Sequence, residues 1–109
     1  MLINKSTIST QGIKFYIKDG DEEIGRAYLY ILNNDLHSEP FGFMEDVFVD
    51  EKYRSQGLGE KLVEALIKEA KNQGCYKLIG NSRHERLNVH RLYEKLSFKS
   101  QGLEFRIDF

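Results

Sequence analysis

A chain of 109 residues has the size of one domain, which leaves no room for separate cofactor and substrate domains. With 40% hydrophobic residues it can build one modest core, and a formal net charge of −1 gives no basic field that would draw nucleic acid. No apolar run approaches the roughly 20 residues that span a bilayer; Met1-Leu2-Ile3-Asn4-Lys5 lacks the start of a signal peptide, and the single cysteine, Cys75, excludes an internal disulfide, so a cytoplasmic protein without membrane partners is expected.

Ile13, Phe15 and Ile17 alternate with Lys14 and Lys18, the pattern of a strand with one wet face, and a further strand near Ile3 to Ile8 is a weaker candidate. Asp19-Gly20-Asp21 signals a turn, and a second strand runs from Ile24 to Leu32. Its Ala27, Leu29 and Ile31 share one face while Tyr28, Tyr30 and Leu32 share the other, which predicts a strand inside the sheet and covered on both sides. After a loop holding the only proline, Pro40, a third strand is expected from Phe41 to Val49. From Gly57 the period lengthens: Leu58, Leu62, Leu66 and Ile67 share a stripe with Val63 and Ala70, a helix of about four turns ending near Gly74. Cys75 to Ile79 reads as a short strand and Gly80 to Leu87 as a polar loop. Val89, Leu92, Tyr93 and Leu96 mark a second helix with Asn88 as candidate N-cap. Leu103, Phe105, Ile107 and Phe109 alternate again, as in a last strand. The order β-β-β-α-β-α-β predicts an α/β fold, a mixed and mostly antiparallel sheet flanked by helices, in a single domain over 1–109.

Chemistry concentrates where the third strand meets the long helix. Arg54-Ser55-Gln56-Gly57-Leu58-Gly59-Glu60 offers free backbone N–H groups and the positive end of a helix dipole, which suits a phosphate or pyrophosphate. Alone, such a glycine pair is often just a tight turn. The dinucleotide fingerprint is excluded because its third glycine would fall on Leu62, and Gly59-Glu60-Lys61 does not supply a P-loop.

The wider pattern is more specific. Arg54-x-x-Gly57-x-Gly59 after a strand ending Asp46-Val47-Phe48-Val49, with Leu92-Tyr93-Glu94-Lys95-Leu96-Ser97-Phe98 downstream, resembles the GNAT superfamily of acyl-CoA N-acyltransferases over roughly Phe41 to Phe98. Ser97 departs from the glycine usual there, a difference expected to be structural. Met44-Glu45-Asp46-Val47 and Gly74-Cys75-Tyr76-Lys77-Leu78 look like glucosamine-6-phosphate N-acetyltransferases, whereas the loop from Arg83 to His90 looks more like other small members. The resemblance implies that acetyl-CoA lays its pyrophosphate on the amides of Gln56 through Glu60, with Arg54 and Ser55 just before them. It implies that the pantetheine arm runs beside Phe48 and Val49, and that an amide near Val47 or Phe48 faces the thioester oxygen. Such an oxyanion donor is worth roughly 3–4 kcal/mol. Asn88 is counted with the cofactor-binding residues on the same ground.

An amine acceptor must lose a proton before attack, so a base is needed. Simple alternation puts Glu45 with Phe43, Val47 and Val49, and Asp46 with Met44 and Phe48; apolar neighbours favour the neutral acid and make a better base near pH 7. Alternation forbids both from facing one substrate unless a bulge breaks the pleat. The alternative reading of each is a structural salt bridge, and Glu45 is the favoured base. The resemblance implies that Tyr93 protonates the departing thiolate, although its place on an apolar stripe also suits a core aromatic. Arg83, His84, Arg86, His90 and Arg91 form a basic cluster that either solvates a face or, through Arg83 and Arg86, anchors a phosphate of the acceptor or of CoA. No short-spaced ligand pairs accompany Cys75, so no metal is expected, and Cys75 reads as a small buried hydrophobe.

Only about a dozen residues precede Ile13, too few for the two helices that usually wall the family's acceptor pocket. The acceptor side is therefore expected to be open or completed by a second copy, and the strand Leu103 to Phe109 offers an edge to pair or swap in a homodimer. The function expected is transfer of acetyl from acetyl-CoA to a small-molecule or peptide primary amine. The alternatives are a glucosamine-6-phosphate N-acetyltransferase proper and a non-catalytic acyl-CoA-binding module.

Overall fold

The alternating apolar side chains of the first half build a meander. In the computed structural model, which describes residues 1–81 and 87–109, β1 (Gln11–Asp19), β2 (Glu22–Leu32) and β3 (Phe41–Val49) pair antiparallel in sequence order. A short 3-10 turn, Glu51–Tyr53, leads to α1 (Leu58–Asn72). The chain then returns through β4 (Leu78–Gly80), parallel to β3, and continues into α2 (Leu87–Lys95). The sheet order is β1-β2-β3-β4.

One face of this sheet makes the core. Leu62, Val63, Leu66 and Ala70 of α1 are buried against Ala27, Leu29 and Ile31 of β2 and Met44 of β3, with Ile13, Phe15 and Ile17 of β1 at the margin. Each large apolar side chain fully removed from water there contributes about 1.5–3 kcal/mol, so the α1–β2–β3 contact dominates stability. The helix ends as its sequence dictates: Gly74 takes φ +78 and donates to Lys71 C=O, and Cys75 N–H closes on Ala70 C=O.

Five expectations need correcting. The second face of β2 is not covered: Tyr28 is half-buried and Tyr30 exposed, their rings stacked 6.4 Å apart, with the Lys14 ammonium 5.8 Å from the Tyr28 ring. Rings with polar tips and cations over them tolerate water, so apolar residues on both faces did not require two covering layers. The fourth strand starts at Leu78 rather than Cys75, because Cys75 is still capping α1 and Tyr76 N–H goes to Pro40 C=O. Asn88 lies inside α2, exposed on its first turn, since the helix already begins at Leu87. Finally, Leu103–Phe109 forms no strand; Leu103, Phe105, Ile107 and Phe109 all stand in solvent, and Ile3–Ile8 has no strand either. Alternation creates an apolar face but not a surface to receive it, and β4 remains the edge of the sheet among the described residues. No helix there is long and apolar enough to cross a membrane.

Candidate active site

The site begins with a fault in β3. Tyr28 is opposite Glu45 but Arg26 is opposite Phe48, so β3 carries one residue more than β2 between these pairs. The extra residue lies at Asp46, whose φ of +51 is left-handed, a conformation that costs a residue with a side chain about 1–2 kcal/mol. The bulge reverses the alternation read from the sequence. Val47 and Val49 turn inward and pack against the core with Met44, while Glu45 and Phe48 share the open face and are exposed. Neither carboxylate is surrounded by apolar groups in the way the flat strand implied.

Asp46 has a partner. Arg26 donates through Nε to Asp46 Oδ2 at 3.0 Å and through Nη2 to Oδ1 at 3.5 Å, and its guanidinium lies 4.7 Å from the Phe48 ring centre. Arg54 approaches the same ring at 5.6 Å and donates through Nε to Val49 C=O at 2.9 Å. Sequence reasoning missed Arg26 altogether. Its alternation with Tyr28 and Tyr30 placed it on the outer face, but nothing local announces a partner 20 residues away.

Past Met44, β3 keeps β2 as its neighbour on one side only: its pairing with β4 ends at Met44↔Gly80, and among the described residues no strand lies beside Glu45–Val49 on that side. Asp50 N–H bonds to Ile24 C=O, so the antiparallel ladder turns Phe48 toward β2 and leaves Val47 and Val49 with backbone groups toward the gap. The gap therefore opens at the carboxyl ends of two parallel strands, where ligands of open α/β sheets commonly bind.

At the far end of that free edge stands the glycine turn. Gly57 takes φ +77 at the start of α1 and no side chain caps the helix. The first intrahelical bond is Lys61 N–H to Gly57 C=O, so the N–H groups of Leu58, Gly59 and Glu60 precede the ladder. A Cβ on Gly59 would meet only Val49 Cγ2, at 3.8 Å, so packing does not demand glycine there. Uncapped donors, the dipole's positive end and a bare backbone fit an anionic pyrophosphate. The turn is held from behind by Tyr53, whose hydroxyl donates to Asp19. That bond pushes the Tyr53 pKa up to about 12, with loss of hydration adding to it.

Tyr93 packs against the core beside the end of β4, as its place on an apolar stripe allowed. Its ring lies 5.2 Å from Phe98 and within 3.8 Å of the place a Cβ would take on Gly80, the last residue of β4. Phe98 reaches it because Ser97 adopts φ +76 and Phe98 N–H turns back to Tyr93 C=O. The serine thus fills a left-handed position, which explains why glycine is its usual occupant in the resembling family. Glu60 and Lys95 pair at 2.9 Å and tie the start of α1 to the end of α2. Arg83 and Arg86, with His84, lie outside the described residues. Cys75 is half-buried, and burial pushes its thiol pKa up, away from the thiolate a nucleophile needs.

Comparison with known proteins places this arrangement. Residues 4–98 match the model of the acetyltransferase (GNAT) family. The chain is 40% identical over 67 residues to a glucosamine 6-phosphate N-acetyltransferase of Trypanosoma brucei brucei, covering 62% of this chain and 44% of that protein. It is 32% identical over 76 residues to an aminoglycoside N(6')-acetyltransferase type 1 of Serratia marcescens, covering 70% of this chain and 51% of that one. The crystal structure of glucosamine-6-phosphate N-acetyltransferase from Arabidopsis thaliana superposes with a TM-score of 0.80 at 27% identity, over 90% of this chain and 67% of that one. The chain thus spans about half the length of these curated relatives.

Proposed function

The chain belongs to the acetyltransferase (GNAT) family, and from that membership we propose that it moves an acetyl group from acetyl-CoA to a primary amine by direct attack. The observation that carries this reading is the uncapped, left-handed start of α1 at Gly57, set at the end of β3, whose edge beyond Met44 has no partner strand among the described residues. Gln56 through Glu60, with Arg54 and Ser55, would hold the pyrophosphate, and Val47 and Val49 offer backbone groups to a pantetheine arm along the gap. Phe48 would contribute its ring rather than its amide, since its backbone belongs to the β2 ladder. Asn88, exposed on the first turn of α2, would add a further contact.

When bound, acetyl-CoA supplies the thioester carbonyl. The Val47 amide, on the open side of β3, donates to the oxygen on which charge develops, an interaction worth roughly 3–4 kcal/mol of barrier. Glu45 takes the amine proton, directly or through water; its carboxylate stands on the outer face beside Tyr28, from which an acceptor approaches. Asp46, engaged by Arg26, supports the strand rather than accepting the proton. Tyr93 returns a proton to the departing sulfur, a task suited to a phenol whose ordinary pKa near 10 keeps it protonated at pH 7.

The acceptor site opens on the bare β1–β2–β3 face, and relatives named for glucosamine 6-phosphate and for aminoglycosides make amino sugars the first acceptors to test. The exposed Leu103, Phe105, Ile107 and Phe109 and the open β4 edge support a homodimer. Thiol release from acetyl-CoA is the deciding assay, with glucosamine 6-phosphate, an aminoglycoside, polyamines and short peptides as acceptors. Release with one class establishes the activity. No release from any acceptor, with CoA still raising the melting temperature, converts the reading to an acyl-CoA-binding module.

A further inference from the structure

We propose that Arg26 is a positioning residue for the transfer: its fork on Asp46 holds the β3 bulge closed, and the bulge in turn aims the Val47 amide into the gap. The inference rests on the acetyl-transfer reading for its consequence, but its geometry stands apart. Three observations converge on it. Asp46 is left-handed at φ +51, a conformation that L side chains resist. Both oxygens of its carboxylate face one guanidinium, at 3.0 and 3.5 Å. That same guanidinium lies over the ring of Phe48, two residues on and opposite Arg26 in the ladder.

One side chain thus grips β3 at the inserted residue and again two residues beyond it. If Asp46 relaxed to an extended conformation, the register would slip by one, and the next residues would exchange faces. Val47 would turn its backbone toward β2, and the gap would lose its donor. Arg26 takes no part in the chemistry; it fixes where a donor points. A lysine cannot replace it, because an ammonium can neither span two oxygens nor stack on a ring as a planar fork does.

The logic gives a test that a merely stabilising residue would fail. Glycine adopts positive φ freely, so in an Asp46→Gly background the bulge needs no clamp. Arg26→Gln alone is expected to lower kcat by about 10- to 100-fold, the cost of a misplaced catalytic contact, while the Kd for CoA, set at the glycine turn, changes less than about threefold. Arg26→Lys should lie close to Arg26→Gln. Added to Asp46→Gly, Arg26→Gln should lower kcat no further. Hydrogen exchange over residues 45–49, read by mass spectrometry, should rise in Arg26→Gln and be insensitive to it in the Asp46→Gly background. The proposal is overturned by wild-type kcat and exchange in Arg26→Gln, or by an equal loss in both backgrounds. If the exchange pattern appears but wild-type protein acetylates nothing, the clamp stands and the acetyl-transfer reading falls; if wild type is active and Arg26→Gln equals it, the reverse holds.

Discussion

Gly57 and Gly59 stand two residues apart in one turn, yet alanine should act on them with opposite sign. Gly57 has φ +77 and a Cβ there would meet nothing within 4 Å, so its substitution is penalised by torsion alone. That cost is about 1–2 kcal/mol. Gly59 lies in the first turn of α1 with ordinary helical backbone, and its added Cβ would touch only Val49 Cγ2, at 3.8 Å. Replacing a helical glycine under those conditions stabilises by about 0.5–1 kcal/mol. The two variants should therefore differ by roughly 1.5–3 kcal/mol, and at about 4–8 °C per kcal/mol their melting temperatures should separate by on the order of 10 °C around the wild type. Thermal melts by circular dichroism without ligand, with urea titration for the free energies, measure this directly. CoA at about 100 times its Kd adds roughly 2.7 kcal/mol to a protein that binds it, and that increment should shrink in Gly57→Ala, where the first-turn donors are displaced. Two variants shifted in the same direction would refute the argument, because they would place the start of α1 somewhere other than Leu58.

Glu45→Gln should lower kcat by about 100-fold; the side chain is exposed, so the melting temperature should not move. Tyr93→Phe keeps the ring against Phe98 and loses the hydroxyl, so kcat should fall, and a full-rate variant would remove Tyr93 from the mechanism. Tyr53 holds its proton more tightly folded than unfolded, so its contribution to stability is present below pH 10 and lost as pH rises toward 12. The melting-temperature gap between wild type and Tyr53→Phe should therefore be widest near pH 8–9 and close by about pH 12. Mass photometry or sedimentation at micromolar concentration should give twice 12.7 kDa, and a monomer there would exclude the homodimer.

What the sequence disclosed and what it hid divide along one physical line. The α1 stripe of Leu58, Leu62, Leu66 and Ala70 was legible because a helix repeats its contacts every three or four residues, so many positions vote together. The bounds of β3 were legible for the same reason. The faces within β3 were not, since one inserted residue exchanges every side chain beyond it and leaves the composition of the strand unchanged. Arg26 was hidden because its partner comes from another strand. The tail misled in the opposite way: Leu103 to Phe109 keeps a perfect period of two, yet a strand exists only where a neighbour receives its hydrogen bonds.

The distribution of left-handed residues joins these points. Among the described residues six take positive φ: Gly20, Gly57 and Gly74, and the non-glycines Asp46, Ser55 and Ser97. Gly20 closes the β1–β2 hairpin and Gly74 ends α1, both places where only the path of the chain is at stake, and glycine makes that path free. The three non-glycine residues instead fall next to candidate site residues in the chain: Asp46 at the bulge of β3, Ser55 in the turn before α1, and Ser97 just past the helix that carries Tyr93. Each costs about 1–2 kcal/mol that a glycine would not, and strain of that size persists where surrounding contacts over-determine the backbone. At Asp46 the contact is visible, an arginine on both carboxylate oxygens. A glycine there would give the same turn with more freedom; aspartate gives it with a charge that another strand can grip, so the shape of the gap depends on the outer face of the sheet as well as on its own edge.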